Sequence, residues 1–178
     1  MVKYKILYSQ RKIKNRVKAL AKQITADYQG KEPVVICMLK GAVYFFTDLT
    51  KYIKIPVKID FARLSSYKNG TTSGVMEIIS NITSNIEGKD ILIVEDIVDS
   101  GKTLAYFIEL MKEKNPASIK ICTMIDKKER REVEVKVDYV GFDIPSGFVI
   151  GYGMDYAERY RDWPIIAEIL NPDELTAD

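Results

Sequence analysis

The sequence predicts an α/β fold in which a parallel sheet is flanked by helices. Three observations carry that expectation. Apolar runs at Val34–Leu39, Ile91–Val94 and Ile119–Ile125 read as buried strands. Other segments repeat apolar residues at helical spacing: Ile13, Val17, Leu20, Ala21 and Ile24 in one, Leu104, Phe107, Ile108 and Met111 in another. The two kinds alternate along the chain, and strand–helix–strand alternation builds a parallel sheet covered on both faces.

Taken in order, Ser9 is placed to cap the first helix, and Gly30 and Pro33 close it. A strand follows over Pro33 to Met38, then a turn at Leu39-Lys40-Gly41 and a helix through Phe46, Leu49 and Ile53. Val57 to Ala62 alternates in part and reads as a strand. Ser65 to Gly74 contains nothing that can pack a core, which predicts a mobile loop. The strands Ile91–Val94 and Ile119–Ile125 bracket a helix that ends at Asn115-Pro116. Val133 to Phe142 and Phe148 to Tyr152 add strand-like segments, and the acidic tail after Leu170 is expected to fray. There is no internal repeat and no low-complexity tract.

Composition narrows the chemistry. At 178 residues the chain fits one domain, with room for a small appendage, and 27 basic against 25 acidic residues is too mild an excess for a nucleic-acid binder. The basic runs Arg11–Lys22 and Lys127–Arg131 read as solvated faces. The two cysteines, Cys37 and Cys122, each lie in an apolar run, which points to reduced thiols. No stretch reaches the about 18 apolar residues of a membrane span, and Met1–Lys5 lacks a signal-peptide core. A cytoplasmic location and no membrane partner are therefore expected. The chain contains no histidine, which excludes Ser-His-Asp and Cys-His nucleophiles and histidine-ligated zinc. Proton transfer falls to a carboxylate, lysine, tyrosine or thiol. A metal would be a hard ion on oxygen ligands, with Mg²⁺ the foremost candidate.

The most informative stretch is Val94 to Thr103, which reads Val-Glu-Asp-Ile-Val-Asp-Ser-Gly-Lys-Thr. Glu95 and Asp96 sit where a strand ends, and Asp99, Ser100, Gly101, Lys102 and Thr103 occupy the turn into a helix. Ligands of open α/β sheets bind outside the carboxyl ends of the strands, and a helix N-terminus offers free N–H groups to a phosphate. Acids beside such a cradle would repel a bare anion. The site therefore wants a phosphate at one end of its ligand and hydroxyls or a metal-bound group nearby. Capping by Asp99 or Ser100 explains one residue but not the adjacent acids. A P-loop needs a glycine five positions before Gly101, where Asp96 stands instead.

This decapeptide closely resembles the phosphoribosyl-pyrophosphate (PRPP) loop of type I phosphoribosyltransferases, in the wording of the hypoxanthine-guanine branch. The resemblance runs from about Val34 to Trp163. It implies a Rossmann-like parallel sheet under a small hood over the carboxyl edge. The whole of 1–178 then forms one domain, with a core over about 30–142 and a hood from the N-terminal segment and about 143–170. The implied activity is transfer of 5-phosphoribose from PRPP·Mg²⁺ to N9 of hypoxanthine or guanine, giving IMP or GMP and pyrophosphate.

The resemblance also implies roles for individual residues. Glu95 and Asp96 hold the ribose hydroxyls, partly through magnesium, and Asp99 to Thr103 cradle the 5′-phosphate. Asp99 is in addition the general acid/base beside N7 of the purine; a helix cap is compatible with that role. Leu39-Lys40-Gly41 matches the pyrophosphate loop, whose Leu-Lys bond is often cis, although a Lys-Gly turn after a strand is common in any protein. Arg161 matches the arginine that also contacts pyrophosphate; by itself it passes as a surface residue among Glu158, Arg159 and Asp162. Lys127 matches the lysine that reads the 6-oxo group, with a solvated loop as the competing account. Phe148 matches the ring that stacks on the purine, Val149 the residue whose backbone reads the base edge, and Asp155 an acid near a second magnesium. Ser66-Tyr67 match the pair at the tip of the closing loop. An aromatic such as Phe148 in an apolar strand is otherwise a core residue.

The substrates implied are PRPP and a 6-oxopurine, with no nucleic-acid partner, and assembly as a homodimer or homotetramer. A regulatory protein on the same fold is the main alternative class. The set Lys40, Asp99, Lys127, Phe148 and Arg161, without an added DNA-binding segment, argues against it. Within enzymes the alternative is a transferase for xanthine or another nucleobase.

Overall fold

The computed structural model describes residues 2–67, 75–80 and 82–171. Its larger sheet contains β2 (Val34–Leu39), β3 (Lys58–Tyr67), β4 (Val75–Ser80), β5 (Asp90–Val98), β6 (Ser118–Lys127) and β7 (Tyr139–Ile144) in the order β4-β3-β2-β5-β6-β7. Strands β3, β2, β5, β6 and β7 run parallel, and β4 is antiparallel to β3. The chain leaves β2 through α2 (Val43–Tyr52) toward β3 on one side, and leaves β5 through α3 (Lys102–Lys112) toward β6 on the other. Right-handed crossovers in opposite directions put these two helices on opposite faces. The parallel α/β expectation therefore holds, and β2 and β5 flank the point where the strand order reverses.

Coverage on both faces explains why the central strands lack alternation. Val35, Ile36, Cys37, Ile91, Leu92, Ile93 and Val94 are all fully buried. Helix α1 (Gln10–Asp27) takes its cap from Ser9, whose Oγ accepts the Lys12 N–H, and buries Ile13, Val17, Leu20, Ala21 and Ile24 as the periodicity requires. It packs beside α2. Cys37 and Cys122 lie in one ladder row with Val94 between them. Two strand spacings, about 9–10 Å, separate them, too far for a disulfide. Both thiols are free.

A second sheet, antiparallel and three-stranded, has the order β1 (Tyr4–Tyr8), β9 (Ile166–Ile169), β8 (Phe148–Ile150). It joins the two ends of the chain through Ile150, Ala167 and Ile169, packed against Tyr156, Tyr160 and Trp163. The run Ile165–Leu170, interrupted only by Glu168, was the available sequence signal for β9. No helix among the described residues is long and apolar enough to cross a membrane.

Several boundaries differ from expectation. Strand β3 continues to Tyr67 because its backbone pairs with β4, Ser66 opposite Met76 and Tyr67 opposite Val75. Ser65, Ser66 and Tyr67 thus belong to a paired arm and not to a loop tip; residues 68–74, and the tail 172–178, lie outside the described residues. Val133–Asp138 is not strand, because its backbone bonds are taken elsewhere. Val133 N–H donates to Ser100 O, while Asp138 N–H donates to Ile121 O and its carboxylate accepts the Ile121 N–H. Only Tyr139–Ile144 joins the sheet.

The base of the β3–β4 arm depends on a buried acid. Asp60 accepts N–H bonds from Phe61, Thr83 and Ser84 at 2.7, 2.9 and 2.7 Å. Burial alone would raise its pKa, but these bonds outweigh burial and hold it below the ordinary carboxylate value. Asp60→Asn turns an NH₂ group toward donors and is expected to cost about 1–3 kcal/mol at neutral pH. A depressed folded pKa contributes stability above the unfolded value of 3.8, lost as pH falls through the folded one. Urea melts of wild type and variant should therefore converge in strong acid.

Candidate functional site

The site grows out of a gap in the sheet. Pairing between β2 and β5 stops at Cys37 opposite Val94, whereas β5 continues on β6 to Val98. Strand β5 is thus longer than the run Ile91–Val94 implied. Glu95 and Asp96 lie within its last residues, on the edge that β2 no longer covers. That crevice is the topological switch point, where doubly wound sheets bind ligands. The chain leaving β2 turns through Leu39-Lys40-Gly41, with a cis Leu39–Lys40 peptide.

Backbone and carboxylate meet closely here. A Cβ on Gly41 would overlap the Asp96 carboxylate, and a Cβ on Gly153, whose φ is +103°, would overlap the Gly41 carbonyl oxygen. Glycine at both positions lets the Asp96, Gly41 and Gly153 segments stack.

Glu95 and Asp96 are half-buried. The Asp96 N–H donates to Glu95 Oε1 at 3.1 Å and the Ile97 N–H to Asp96 Oδ1 at 2.8 Å. Burial, followed by the charge of Asp96, pushes the Glu95 carboxyl well above its ordinary value. Burial raises Asp96 as well, opposed by hydrogen bonds to its charged form and by Arg161. Beneath them burial and the same two carboxylates push the Cys37 thiol up to about 12, leaving it inert.

At the next turn α3 starts after Gly101 in the left-handed conformation, with no side chain capping it. Ser100 Oγ accepts only a long bond, 3.4 Å, from the Lys102 N–H. Neither Asp99 nor Ser100 is a true cap, so the first amides of α3 stay open toward a pocket of about 120 Å³ lined by Glu95, Val98, Ser100, Gly101 and Thr103. The Lys102 ammonium turns away and pairs with Glu132 at 2.5 Å.

An adjoining pocket of about 170 Å³ brings together Asp96, Asp99, Lys127, Phe148, Val149 and Asp155. Lys127 is buried rather than solvated. Its Nζ donates to Gly147 O at 3.0 Å and lies 3.4 Å from Asp99 Oδ2. Asp99 Oδ1 is buried without a protein partner, an acceptor left for a ligand. Phe148 is 40% exposed, so it is not a core ring; it meets Tyr156 edge-on at 5.4 Å. Val149 is buried in β8.

On the opposite flank Arg161 is mostly buried, not a surface residue. Its Nη1 donates to Gly153 O at 2.7 Å, and Nη2 pairs with Asp155 at 2.8 Å and Glu158 at 3.3 Å. Glu158 also pairs with Lys40 at 2.8 Å. That residue, absent from the expected set, joins the two expected cations, and only its i,i+3 spacing from Arg161 hinted at it. Asp155 also accepts the Glu158 N–H at 2.9 Å. A larger cleft of about 380 Å³ between α1, α2 and Trp163 has its Asp48 and Tyr152 bonded to each other and shares none of this chemistry.

An acid pair, an uncapped helix start and a buried lysine–aspartate pair around one switch-point crevice define a doubly wound α/β protein with its polar site at the carboxyl edge of the sheet. Residues 3–157 match the phosphoribosyl transferase domain, and the chain belongs to that family. It is 47% identical to the hypoxanthine-guanine phosphoribosyltransferase of Bacillus subtilis over 94% of this chain and 93% of that one. It is 45% identical to the bifunctional protein TilS/HprT of Listeria monocytogenes over 95% of its own length, but spans only 26% of that protein. A crystal structure of a hypoxanthine-guanine phosphoribosyltransferase from Bacillus anthracis superposes with a TM-score of 0.89 at 44% identity, covering 96% of this chain and all of that one.

Gly153→Ala is expected to lower stability by about 1–3 kcal/mol, since alanine is strained at this φ and its methyl meets backbone. A thermal melt matching wild type would show that the Gly41–Gly153 contact is not tight.

Proposed function

We propose that the protein transfers 5-phosphoribose from PRPP to N9 of hypoxanthine or guanine, in purine salvage. The supporting observation is the convergence of Glu95, Asp96, Asp99, Lys127 and Phe148 on two adjoining pockets beside the uncapped start of α3. In this reading the amides of Ser100 to Thr103 bind the 5′-phosphate, and Glu95 and Asp96 face the ribose diol. Lys40, Gly41 and Arg161 receive the pyrophosphate, which Glu158 must then yield. The C1–pyrophosphate bond breaks, the C1–N9 bond forms, and the purine proton passes to the Asp99 carboxylate. Phe148 stacks on the base, the Val149 backbone reads its edge, and Lys127 donates to the 6-oxo group. The β3–β4 arm, with Ser66 and Tyr67, excludes water from the cation-like C1 carbon.

The residues fit a magnesium ion. Among the described residues no three acids cluster as a complete cage. Mg²⁺, however, commonly takes one or two carboxylates and fills its shell with water and substrate phosphate. Glu95 and Asp96 supply such a pair, and Asp155 stands by for a second ion near pyrophosphate. Bound there, magnesium would supply neutralisation of the departing charge. We assign the chain to the cytoplasm as a homodimer or homotetramer; two buried reduced thiols support the compartment.

Pyrophosphate release measured with PRPP, Mg²⁺ and a panel of hypoxanthine, guanine, xanthine and adenine should show turnover with the first two and none with adenine. Absence of PRPP affinity in the presence of divalent metal would overturn the assignment. Asp99→Asn should lower kcat by about 10²–10⁴-fold with the melting temperature little changed; wild-type turnover would remove Asp99 from the chemistry. Lys127→Ala should raise KM for the base while PRPP binding is retained, and the reverse pattern would show the lysine is misassigned.

A further inference from the structure

Arg131 was expected on a solvated basic face, yet its side chain is only 7% exposed, as is that of its partner Asp126 at 8%. The guanidinium pairs with Asp126 through Nη2, and Nε and Nη2 also turn to backbone carbonyls. Nε donates to Asp99 O at 2.8 Å, and Nη2 to Val98 O at 3.0 Å and Lys127 O at 3.2 Å. The two residues that follow continue the grip, since the N–H groups of Glu132 and Val133 both donate to Ser100 O at 3.0 Å. Gly101 completes the contact, because a Cβ there would run into the Val133 carbonyl oxygen.

Three successive carbonyls, Val98, Asp99 and Ser100, are thus drawn toward one short segment. In a planar trans peptide the C=O and the following N–H point in opposite directions. Fixing the Asp99 and Ser100 carbonyls therefore turns the N–H groups of Ser100 and Gly101 the other way. Neither N–H has a protein partner, and both residues line the pocket at the start of α3.

We infer that Arg131, held by Asp126, is a positioning residue that aims the Ser100 and Gly101 amides at the 5′-phosphate of the substrate. This rests on the reading of the crevice as a PRPP site. Arg131 touches neither substrate nor reacting atoms; it acts through the loop backbone. A lysine keeps the charge for Asp126 but lacks the planar fork that reaches several carbonyls at once.

The test compares wild type, Arg131→Lys and Asp126→Asn for binding of IMP and of inosine by calorimetry, and for KM of PRPP and of hypoxanthine. Arg131→Lys should weaken IMP and raise the PRPP KM by about 10- to 100-fold, with inosine binding and the hypoxanthine KM unchanged. Asp126→Asn should shift the same two quantities in the same direction by less, and it carries the test if the lysine variant fails to fold. A merely structural role would weaken nucleoside and nucleotide alike, and that outcome, or no loss in a folded variant, overturns the inference. If wild type binds neither PRPP nor IMP, the functional reading falls and this one with it. If wild type binds both and the variants match it, only the positioning role falls.

Discussion

Two neighbouring carboxylates kept partly out of water, neither of them in an ion pair, set the terms for the rest of this molecule. Every other charge in the crevice is neutralised in place. Lys127 faces Asp99, Lys40 faces Glu158, and Arg161 faces both Asp155 and Glu158. Glu95 and Asp96 make no ion pair; they have each other, a few backbone N–H groups and, for Asp96, the charge of Arg161 beyond contact distance. Burial and mutual repulsion favour a proton between them, and a bound cation would relieve the same stress. Negative potential thus concentrates at one point, between the Lys127–Asp99 pocket and the Lys40–Arg161 flank, which each arrive already balanced.

Holding those acids there is the work of the sheet. Strand β5 is gripped on both edges through Val94 and on one edge beyond it, so the carboxylates emerge where β2 has turned away. The turn must then pass close to Asp96, which leaves no volume for a side chain at Gly41, nor at Gly153 behind it. Parallel strands buried on both faces give this corner its rigidity, since a packed interior yields little to local repulsion.

The core and the chemistry-bearing loop were legible in the sequence because each rests on local pattern. Apolar runs, helical spacing in α1 and α3, and the strand–turn–helix setting of Val94–Thr103 depend on near neighbours in the chain. Pairings made across long separations were not legible. Strand β4 extends β3, and β9 closes a sheet with the N-terminus, through partners no local signal names. Glu158 and Arg131 were passed over for a related reason. Charged residues in a charged run look solvated until the fold brings Lys40 to one and the Val98–Ser100 carbonyls to the other. At Lys102 motif membership gives no side-chain direction; the fold turns its ammonium to Glu132.

Under the proposed function, selection between purines follows from the donors of one side chain. A lysine ammonium has three N–H donors and no acceptor. At Lys127 one donor is committed to Gly147 O, and the buried ammonium lies 3.4 Å from Asp99 and 4.0 Å from Glu129. In the proposed reading a donor not used by Gly147 turns to the base. A 6-oxo group accepts it, whereas a 6-amino group would oppose donor to donor in a place where neither can turn to solvent, and an unmet buried donor costs about 1–3 kcal/mol. Because the Asp99 carboxylate lies beside the ammonium and lines the same pocket, recognition of the oxo group and handling of the purine proton would draw on one ion pair. Preference for oxopurines is thereby tied to the same aspartate that the proposed chemistry requires.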